Sequence, residues 1–239
     1  MKIALIGYGK MGRAIEEIAL QQGHEIVLKI NSQNNNALCN IALLQQADVA
    51  IEFTTPESAT QNIESCLQAG VPIVCGTTGW THALPAIQAQ CKNLNGSMVY
   101  ASNFSIGVNL FFELNKKLAA LMAPHPQYEV ILEEIHHTQK KDAPSGTALT
   151  LAEQILHHNK KKKQWVNDIS DNPEDLEIIS QRIDPTPGTH SVKYASVVDD
   201  IEIIHTAHNR TGFAAGAVLA ANFIKDKKGI YTMKEVLGL

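Results

Sequence analysis

Short apolar runs, each followed by a segment of helical period, alternate along the first half of the chain. Residues 2–6, 25–30, 48–53, 71–75 and 97–101 read as strands. Residues 13–22, which end at Gly23, 57–69 after a Thr-Thr-Pro start, and 84–92 read as helices. Alternation at this spacing predicts an α/β fold with a Rossmann-type doubly wound parallel sheet. Past Asn103 and Phe104 the rhythm changes to a helix over 108–122, a strand over 128–135, a helix over 146–158, and strand candidates at 176–183, 191–198 and 201–207. The last three are consecutive, so they are expected to pair antiparallel, within a second α+β domain containing a mixed or antiparallel sheet. An Ala-rich apolar helix over 211–224 is expected to return and cover the first sheet. The expected division is 1–104, completed by 212–239, and 105–211. Asn159, followed by Lys160 to Lys163, reads as a solvated helix end, where cations suit the macrodipole.

The first strand leads directly into Gly7-Tyr8-Gly9-Lys10-Met11-Gly12, a G-x-G-x-x-G pattern with a helix behind it. Each glycine has a physical role, with a tight turn at Gly7, backbone approach to a pyrophosphate at Gly9, and close helix packing at Gly12. Glycines alone are a weak sign of a dinucleotide site, but the strand before and the helix after supply its context. After the second strand such folds often carry an acid for the ribose 2′-OH. Here Lys29 is followed by Asn31 and Ser32, so no carboxylate repels a 2′-phosphate, and NADPH with tolerance of NADH is expected. The alternative for Lys29 is a solvated strand end. Ligands in parallel sheets sit at the carboxyl ends of strands, which gathers Thr54-Thr55, Gly76-Thr77-Thr78-Gly79 and Ala101-Ser102-Asn103-Phe104 at one crevice.

The densest chemistry lies on the loop after the strand at 128–135. Glu134-Ile135-His136-His137-Thr138-Gln139-Lys140-Lys141-Asp142-Ala143-Pro144-Ser145-Gly146-Thr147 crowds imidazoles, ammoniums and a helix start into one stretch. Ser145, Gly146 and Thr147 offer backbone N–H groups where helix dipoles favour an anion. Pro144 to Thr147 would equally serve as a plain turn and helix cap. Neighbours on a strand point to opposite faces, so only one of His136 and His137 can face a core.

Composition narrows the partners. With 20 basic and 24 acidic residues and a formal charge of −4, no basic field draws in nucleic acid. The first strand turns glycine-rich before a signal core could form, and no run of eighteen apolar residues occurs, so neither leader nor membrane span is expected. Cys39, Cys66, Cys75 and Cys91 form no Cys-x-x-Cys pair and read as small buried thiols of a cytoplasmic enzyme without a metal site.

Both halves together resemble the 4-hydroxy-tetrahydrodipicolinate reductase (dihydrodipicolinate reductase) family over essentially the whole chain. The resemblance rests on Gly7 to Gly12, on Gly76-Thr77-Thr78-Gly79 with Asn103-Phe104-Ser105, and above all on His136-His137-x-x-Lys140-x-Asp142-Ala143-Pro144-Ser145-Gly146-Thr147. It implies reduction of a cyclic imine dicarboxylate with NADPH or NADH in lysine and diaminopimelate biosynthesis. His136 would be the proton donor or acceptor and Lys140 a proton donor. His137, Gly146 and Thr147 would bind substrate. Cofactor contacts would fall on Gly7, Tyr8, Gly9, Lys10, Met11, Gly12, Gly76, Thr77, Thr78, Ala101, Ser102, Asn103 and Phe104. The family's acid after the second strand is replaced by Asn31. Gly188-Thr189-His190 stays outside the expected site, because Thr189 stands where the family carries Glu. A homotetramer assembled through the second domain is also implied. Closure of the two domains, with hinges near 103–105 and 209–212, is expected to precede hydride transfer. His136 and Lys140 are expected at an open site rather than in packed interior. Two rivals remain: another dehydrogenase of the same two-domain plan, which would lack the His-His-to-Gly-Thr string, and a nucleotide-sensing protein without turnover, which would lack the proton donors.

Overall fold

The computed structural model describes residues 1–34, 40–209 and 211–239. Cys39, the end of the polar stretch at 35–36, and Arg210 of the expected hinge lie outside the described residues. The chain forms two compact units, Met1–Ile106 with Arg210–Leu239, and Gly107–Asn209.

The first unit is built on β1 (Lys2–Ile6), β2 (Glu25–Ile30), β3 (Val49–Glu52), β4 (Ile73–Cys75), β5 (Ser97–Tyr100) and β11 (Gly229–Tyr231). All pair in parallel, in the order β11-β5-β4-β3-β1-β2. The central strands β3 and β4 are buried at every position, which is why they read as apolar runs, broken only by Glu52 at the end of β3, rather than as alternation. A single-turn helix, α2 (Ile41–Leu44), precedes β3. Helices α3 (Pro56–Gln68) and α4 (Leu84–Asn93) pack Ile63, Cys66, Leu67, Ile87 and Cys91 against one face. Helices α1 (Lys10–Gln21) and α7 (Thr211–Ile224) cover the other with Ile15, Ala19, Ala214, Ala217 and Val218. Each of the fully buried leucines and isoleucines contributes about 1.5–3 kcal/mol of transfer free energy. Helix α7 is rich in small residues because it lies very close to the chain after β5. A Cβ on Gly216 would stand 1.7 Å from the Phe104 carbonyl oxygen.

Two features of this unit depart from the sequence reading. Helix α1 begins at Lys10 rather than at 13, so Gly12 lies inside its first turn. Strand β11, unforeseen because Gly-Ile-Tyr carries no periodicity, extends the sheet beside β5. Cys66, Cys75 and Cys91 are buried, as expected.

The second unit contains α5 (Ile106–Met122) apart from its first residue, β6 (Glu129–His136), α6 (Gly146–His158), β7 (Gln164–Val166), β8 (Asp175–Arg182), β9 (Gly188–Ala195) and β10 (Asp200–Ala207). Its sheet runs β10-β9-β6-β8-β7. Strand β6 is antiparallel to β9 but parallel to β8, and β9 is antiparallel to β10. The expected antiparallel run of three is therefore only half right: β6 separates β8 from β9. The cause is the crossover through α6, which returns the chain in the same direction as β6 and so forces a parallel neighbour. Leu132, Leu151, Ile155, Leu176, Ile178 and Val192 form the core between α6 and the sheet. The lysine run is not simply solvated either. The Lys162 side chain is 9% exposed, donating to the Pro173 carbonyl at 3.0 Å and pairing with Glu129 at 3.2 Å. No helix among the described residues is long and apolar enough to cross a membrane.

Candidate functional site

In the first unit, the chain reverses direction of build-up at β1, with β2 on one side and β3 on the other, and a cleft opens there at the carboxyl ends of the strands. The cleft holds about 540 Å³ and is lined by Gly7, Tyr8, Gly9, Asn31, Ser32 and Thr54 among others. Gly7 adopts φ +95°, and its amide donates to the Ile30 carbonyl at 2.9 Å. A Cβ on Gly12 would lie 2.2 Å from the Gly7 carbonyl oxygen, whereas one on Gly9 would meet nothing within 4 Å. The loop is thus packed tightly behind and open in front, which suits close approach of a pyrophosphate to backbone N–H groups.

The other expected cofactor residues distribute less evenly. Lys10 is exposed and Met11 half-buried. Gly76 lies against the Phe53 ring, where a Cβ would come within 2.2 Å. The Thr77 hydroxyl is committed inward: it donates to Glu52 at 2.9 Å and accepts from the Thr54 amide at 2.7 Å. Thr78 and Ser102 are exposed, Ala101 and Asn103 half-buried. The Phe104 side chain is 2% exposed and meets Phe53 edge-on, so it belongs to the core. Sequence reasoning missed Glu52. Fully buried at the end of β3, it accepts from Thr77, from Asn62 at 3.3 Å and from the Cys75 thiol at 3.0 Å, and so holds the cleft floor. Lys29 is not a bare cation. Its ammonium lies 2.5 Å from Glu16 and 4.9 Å from the centre of the Tyr8 ring, and the Tyr8 hydroxyl also donates to Glu16. The Glu16 hydrogen bond raises the Lys29 pKa above its ordinary value.

In the second unit the strand register assembles a polar cluster. Alternation along β6 puts Val130, Leu132, Glu134 and His136 on its buried face, and along β9 does the same for Gly188, His190, Val192 and Tyr194. Glu134 then stands opposite His190 on one side and Ser180 on the other, while His136 stands opposite Arg182. Glu134 is fully buried; its Oε2 lies 3.5 Å from His136 Nδ1 and 3.6 Å from His190 Nε2. Its Oε1 accepts from Arg182 Nη2 at 3.1 Å, and both oxygens lie 3.1 Å from the Ser145 amide. Burial works to raise the Glu134 pKa, but hydrogen bonds from His190, Ser145 and Ser180 outweigh it and hold the carboxyl well below the usual range.

Ser145 caps α6, accepting from the Ala148 amide at 3.2 Å, and its hydroxyl lies 3.1 Å from His190 Nε2. Gly146 and Thr147 occupy the first two positions of α6, at the positive end of its dipole. On the loop before the helix, Lys140 donates to both oxygens of Asp142 at 2.8 and 2.7 Å. Arg182 ties this loop to the cluster through the Asp142 carbonyl at 2.6 Å. His137, one position past the end of β6, is half-buried, whereas His136 is buried.

His136 is more enclosed than expected, with 9% of its side chain open. Its surroundings are polar rather than apolar, however: Glu134, His190 and Arg182, with the two imidazole centroids 5.0 Å apart. Burial, then the repulsion of His190, Lys140 and Arg182 against the pull of Glu134, lowers the His136 pKa to about 4. Gly188 and His190, excluded by the sequence reading, touch this centre directly. A Cβ on Gly188 would stand 3.0 Å from His136 Nε2, so any side chain there would crowd that ring edge. The Gly-x-His spacing on a strand, which puts both on one face, was the available signal. Glu134, His136 and His190 could geometrically surround a metal ion, their ligand atoms lying within 4.8 Å of one another. Arg182 already supplies the positive charge that Glu134 needs, which favours a hydrogen-bonded cluster over a cation site.

Comparison with known proteins adds three results. Residues 1–104 match the family model described as dihydrodipicolinate reductase, N-terminus, and residues 107–237 match its C-terminal counterpart. A 4-hydroxy-tetrahydrodipicolinate reductase of Christiangramia forsetii is 50% identical, over 99% of this chain and 98% of its own. One of Zymomonas mobilis is 35% identical, covering 100% of this chain and 98% of its own. Among solved structures, a dipicolinate-bound dihydrodipicolinate reductase from Paenisporosarcina sp. has the same fold, with a TM-score of 0.78 at 24% identity and 98% coverage of each chain.

Proposed function

The chain belongs to the dihydrodipicolinate reductase family, nicotinamide-dependent oxidoreductases of lysine and diaminopimelate biosynthesis, and from that premise we propose which residues carry the reaction. The cofactor is assigned to the first unit and the cyclic imine dicarboxylate to the second. The carrying observation is that the Ser145 amide at the start of α6 donates to Glu134, whose Oε2 lies 3.5 Å from His136 Nδ1, so an anion on Gly146 and Thr147 would be held beside the imidazole. Gly7, Gly9 and Gly12 fit a pyrophosphate for the steric reasons given above, and the backbones of Gly76 to Thr78 and Ala101 to Phe104 would complete the cofactor contacts. When bound, the reduced nicotinamide supplies the hydride.

Gly146, Thr147 and His137 bind charge that the substrate already carries, and so govern KM more than kcat. Lys140 offsets the charge that develops on the ring, released from Asp142 by the competing carboxylate of the substrate. His136 delivers the proton that quenches it. A dianionic substrate next to the imidazole opposes the lowering effect of burial, so His136 gains proton affinity when its substrate arrives. Turnover is tested by following NADPH and NADH loss separately, with the freshly formed product of the preceding synthase step as acceptor. Oxidation with that acceptor is expected; oxidation only with an unrelated carbonyl compound would overturn the assignment.

NADPH is the proposed main reductant, with NADH accepted. Asn31 and Ser32 line the cleft where an acid would exclude a 2′-phosphate. Lys29 is the nearby cation, but Glu16 neutralises it, which accounts for tolerance of both cofactors. Glu16→Gln should release Lys29 and tighten NADPH about three- to tenfold, the scale of one exposed ion pair, leaving NADH nearly unchanged. Titration of nicotinamide fluorescence reads both affinities without turnover, and equal changes for the two would contradict the assignment.

A homotetramer built through the second unit is supported by edge strand β10, which exposes Ile201 and Ile204 at 40% and 59%, beside Val197 and Val198. Light scattering should return the mass of four chains; a monomer at micromolar concentration would refute it. The working compartment we assign is the cytoplasm, where a supply of reduced nicotinamide meets the need of the reaction.

A further inference from the structure

No binding or proton-transfer role has been given above to Glu134, yet it is fully buried and accepts from both Arg182 and the Ser145 amide. We propose that Glu134 is the positioning residue of His136: its carboxylate selects the ring tautomer with hydrogen on Nδ1 and keeps Nε2 as the exchanging nitrogen, in the space that the missing side chain of Gly188 leaves beside it. This rests on the reading of His136 as the proton donor.

Three features of the geometry support the assignment. First, Glu134 is anchored independently of the imidazole, by Arg182 at 3.1 Å and by the Ser145 amide at 3.1 Å to each oxygen. A fully buried carboxylate would be costly without such donors; with them it is a rigid acceptor whose position does not depend on the ring. Second, His136 Nδ1 is buried and has no hydrogen-bond partner at full bonding distance, while Glu134 Oε2 stands 3.5 Å away. Catalytic hydrogen bonds that are long in a free enzyme commonly shorten when the substrate binds, and a closing of about half an ångström would complete this one. Third, a hydrogen on Nδ1 aimed at Glu134 leaves Nε2 as the nitrogen that exchanges a proton with substrate, and Gly188 is the neighbour whose missing side chain keeps that edge clear. The pattern is a carboxylate orienting an imidazole, which fixes tautomer and stabilises the imidazolium without itself taking the proton.

Every charged or titratable group facing His136 enters the balance: Glu134 on β6, His190 on β9, Arg182 on β8 and Lys140 on the loop before α6. Of these only Glu134 favours the protonated ring. Removing its charge must therefore move the imidazole pKa down, whereas a purely structural clamp between β6 and α6 would leave it in place.

The test uses the full-length enzyme with nitrogen-15 histidine labels. In the wild type, His136 should show the Nδ1–H tautomer at neutral pH; the Nε2–H tautomer would overturn the proposal, and this reading needs no variant to fold. In Glu134→Gln, which keeps an acceptor for the Ser145 amide, the His136 pKa should fall by at least about one unit. Its kcat for NADPH oxidation should fall at least tenfold with KM for the cyclic substrate changed less than about threefold, and Glu134→Asp should recover part of the loss. An unmoved pKa with unchanged kcat, or equal losses in Gln and Asp variants that track thermal stability alone, would reduce Glu134 to a structural clamp. If the wild type shows the expected tautomer but does not reduce the cyclic imine, the functional reading fails while the positioning claim stands.

Discussion

Replacing His136 with Gln is expected to lower kcat at least about a hundredfold, the smaller end of what a placed general acid contributes. Gln keeps a polar group of similar reach but cannot deliver a proton, so folding and substrate affinity should change little. The pH dependence gives the same claim a second reading. In the free enzyme His136 is held neutral, its pKa lowered to about 4 by burial and by the cations around it. Its protonated fraction at neutral pH is then small until a dianion arrives. Binding of pyridine-2,6-dicarboxylate near pH 7 should therefore take up protons, a quantity that calorimetry in buffers of different ionisation enthalpy measures directly. The uptake should disappear in His136→Gln. Wild-type turnover in the variant would remove His136 from the mechanism. For stability the sign is equally definite: a histidine whose folded pKa is depressed binds fewer protons folded than unfolded. Its neutral form therefore costs stability progressively as pH falls from about 6.5 toward about 4.

The second large effect is expected at Gly7. Its φ of +95° strains any residue with a Cβ, and that Cβ would stand 1.9 Å from the Phe53 carbonyl oxygen. Phe53 cannot retreat easily, because its amide donates to the Ile6 carbonyl at 2.8 Å and so belongs to the sheet. Strain and overpacking together put the cost of Gly7→Ala at about 2–4 kcal/mol. Thermal unfolding should shift down by roughly 5–15 °C, and cofactor affinity should fall with it because the loop must move. Gly9→Ala is the matched control. It has open space for its Cβ, so it should keep its thermal stability and lose affinity only. Equal melting temperatures for wild type and Gly7→Ala would show that the loop is not held as described.

Where chain-local rules suffice, the sequence was informative. The inner strands of the first unit are apolar on both faces over most of their length and bounded by turn residues, and the glycine loop announces itself by spacing. Strand β11 has three residues and no period, and only its place beside β5 makes it a strand. The position of β8 depended on a choice between an antiparallel return and a crossover. The helix at Gly146–His158 favoured the crossover, although adjacency of the three later strands pointed the other way. The proton-donor loop was legible as a string of residue types. Its supports were not, because Glu134, Arg182, Gly188 and His190 come together only through the register of three strands. Glu134 was visible in the cluster, two positions before His136 on the same face, but nothing local shows that a buried carboxylate has an arginine across the sheet. The ion pair of Lys29 was hidden for the same reason: its partner Glu16 sits on α1, outside any short-range pairing rule.

The place of the dicarboxylate in the second unit is the most direct check on these roles. A crystal structure with pyridine-2,6-dicarboxylate should show one carboxylate on the amides of Gly146 and Thr147, with His136 Nε2 and the Lys140 ammonium turned toward the ring. A carboxylate bound elsewhere, with His136 still enclosed and Lys140 still paired to Asp142, would contradict them.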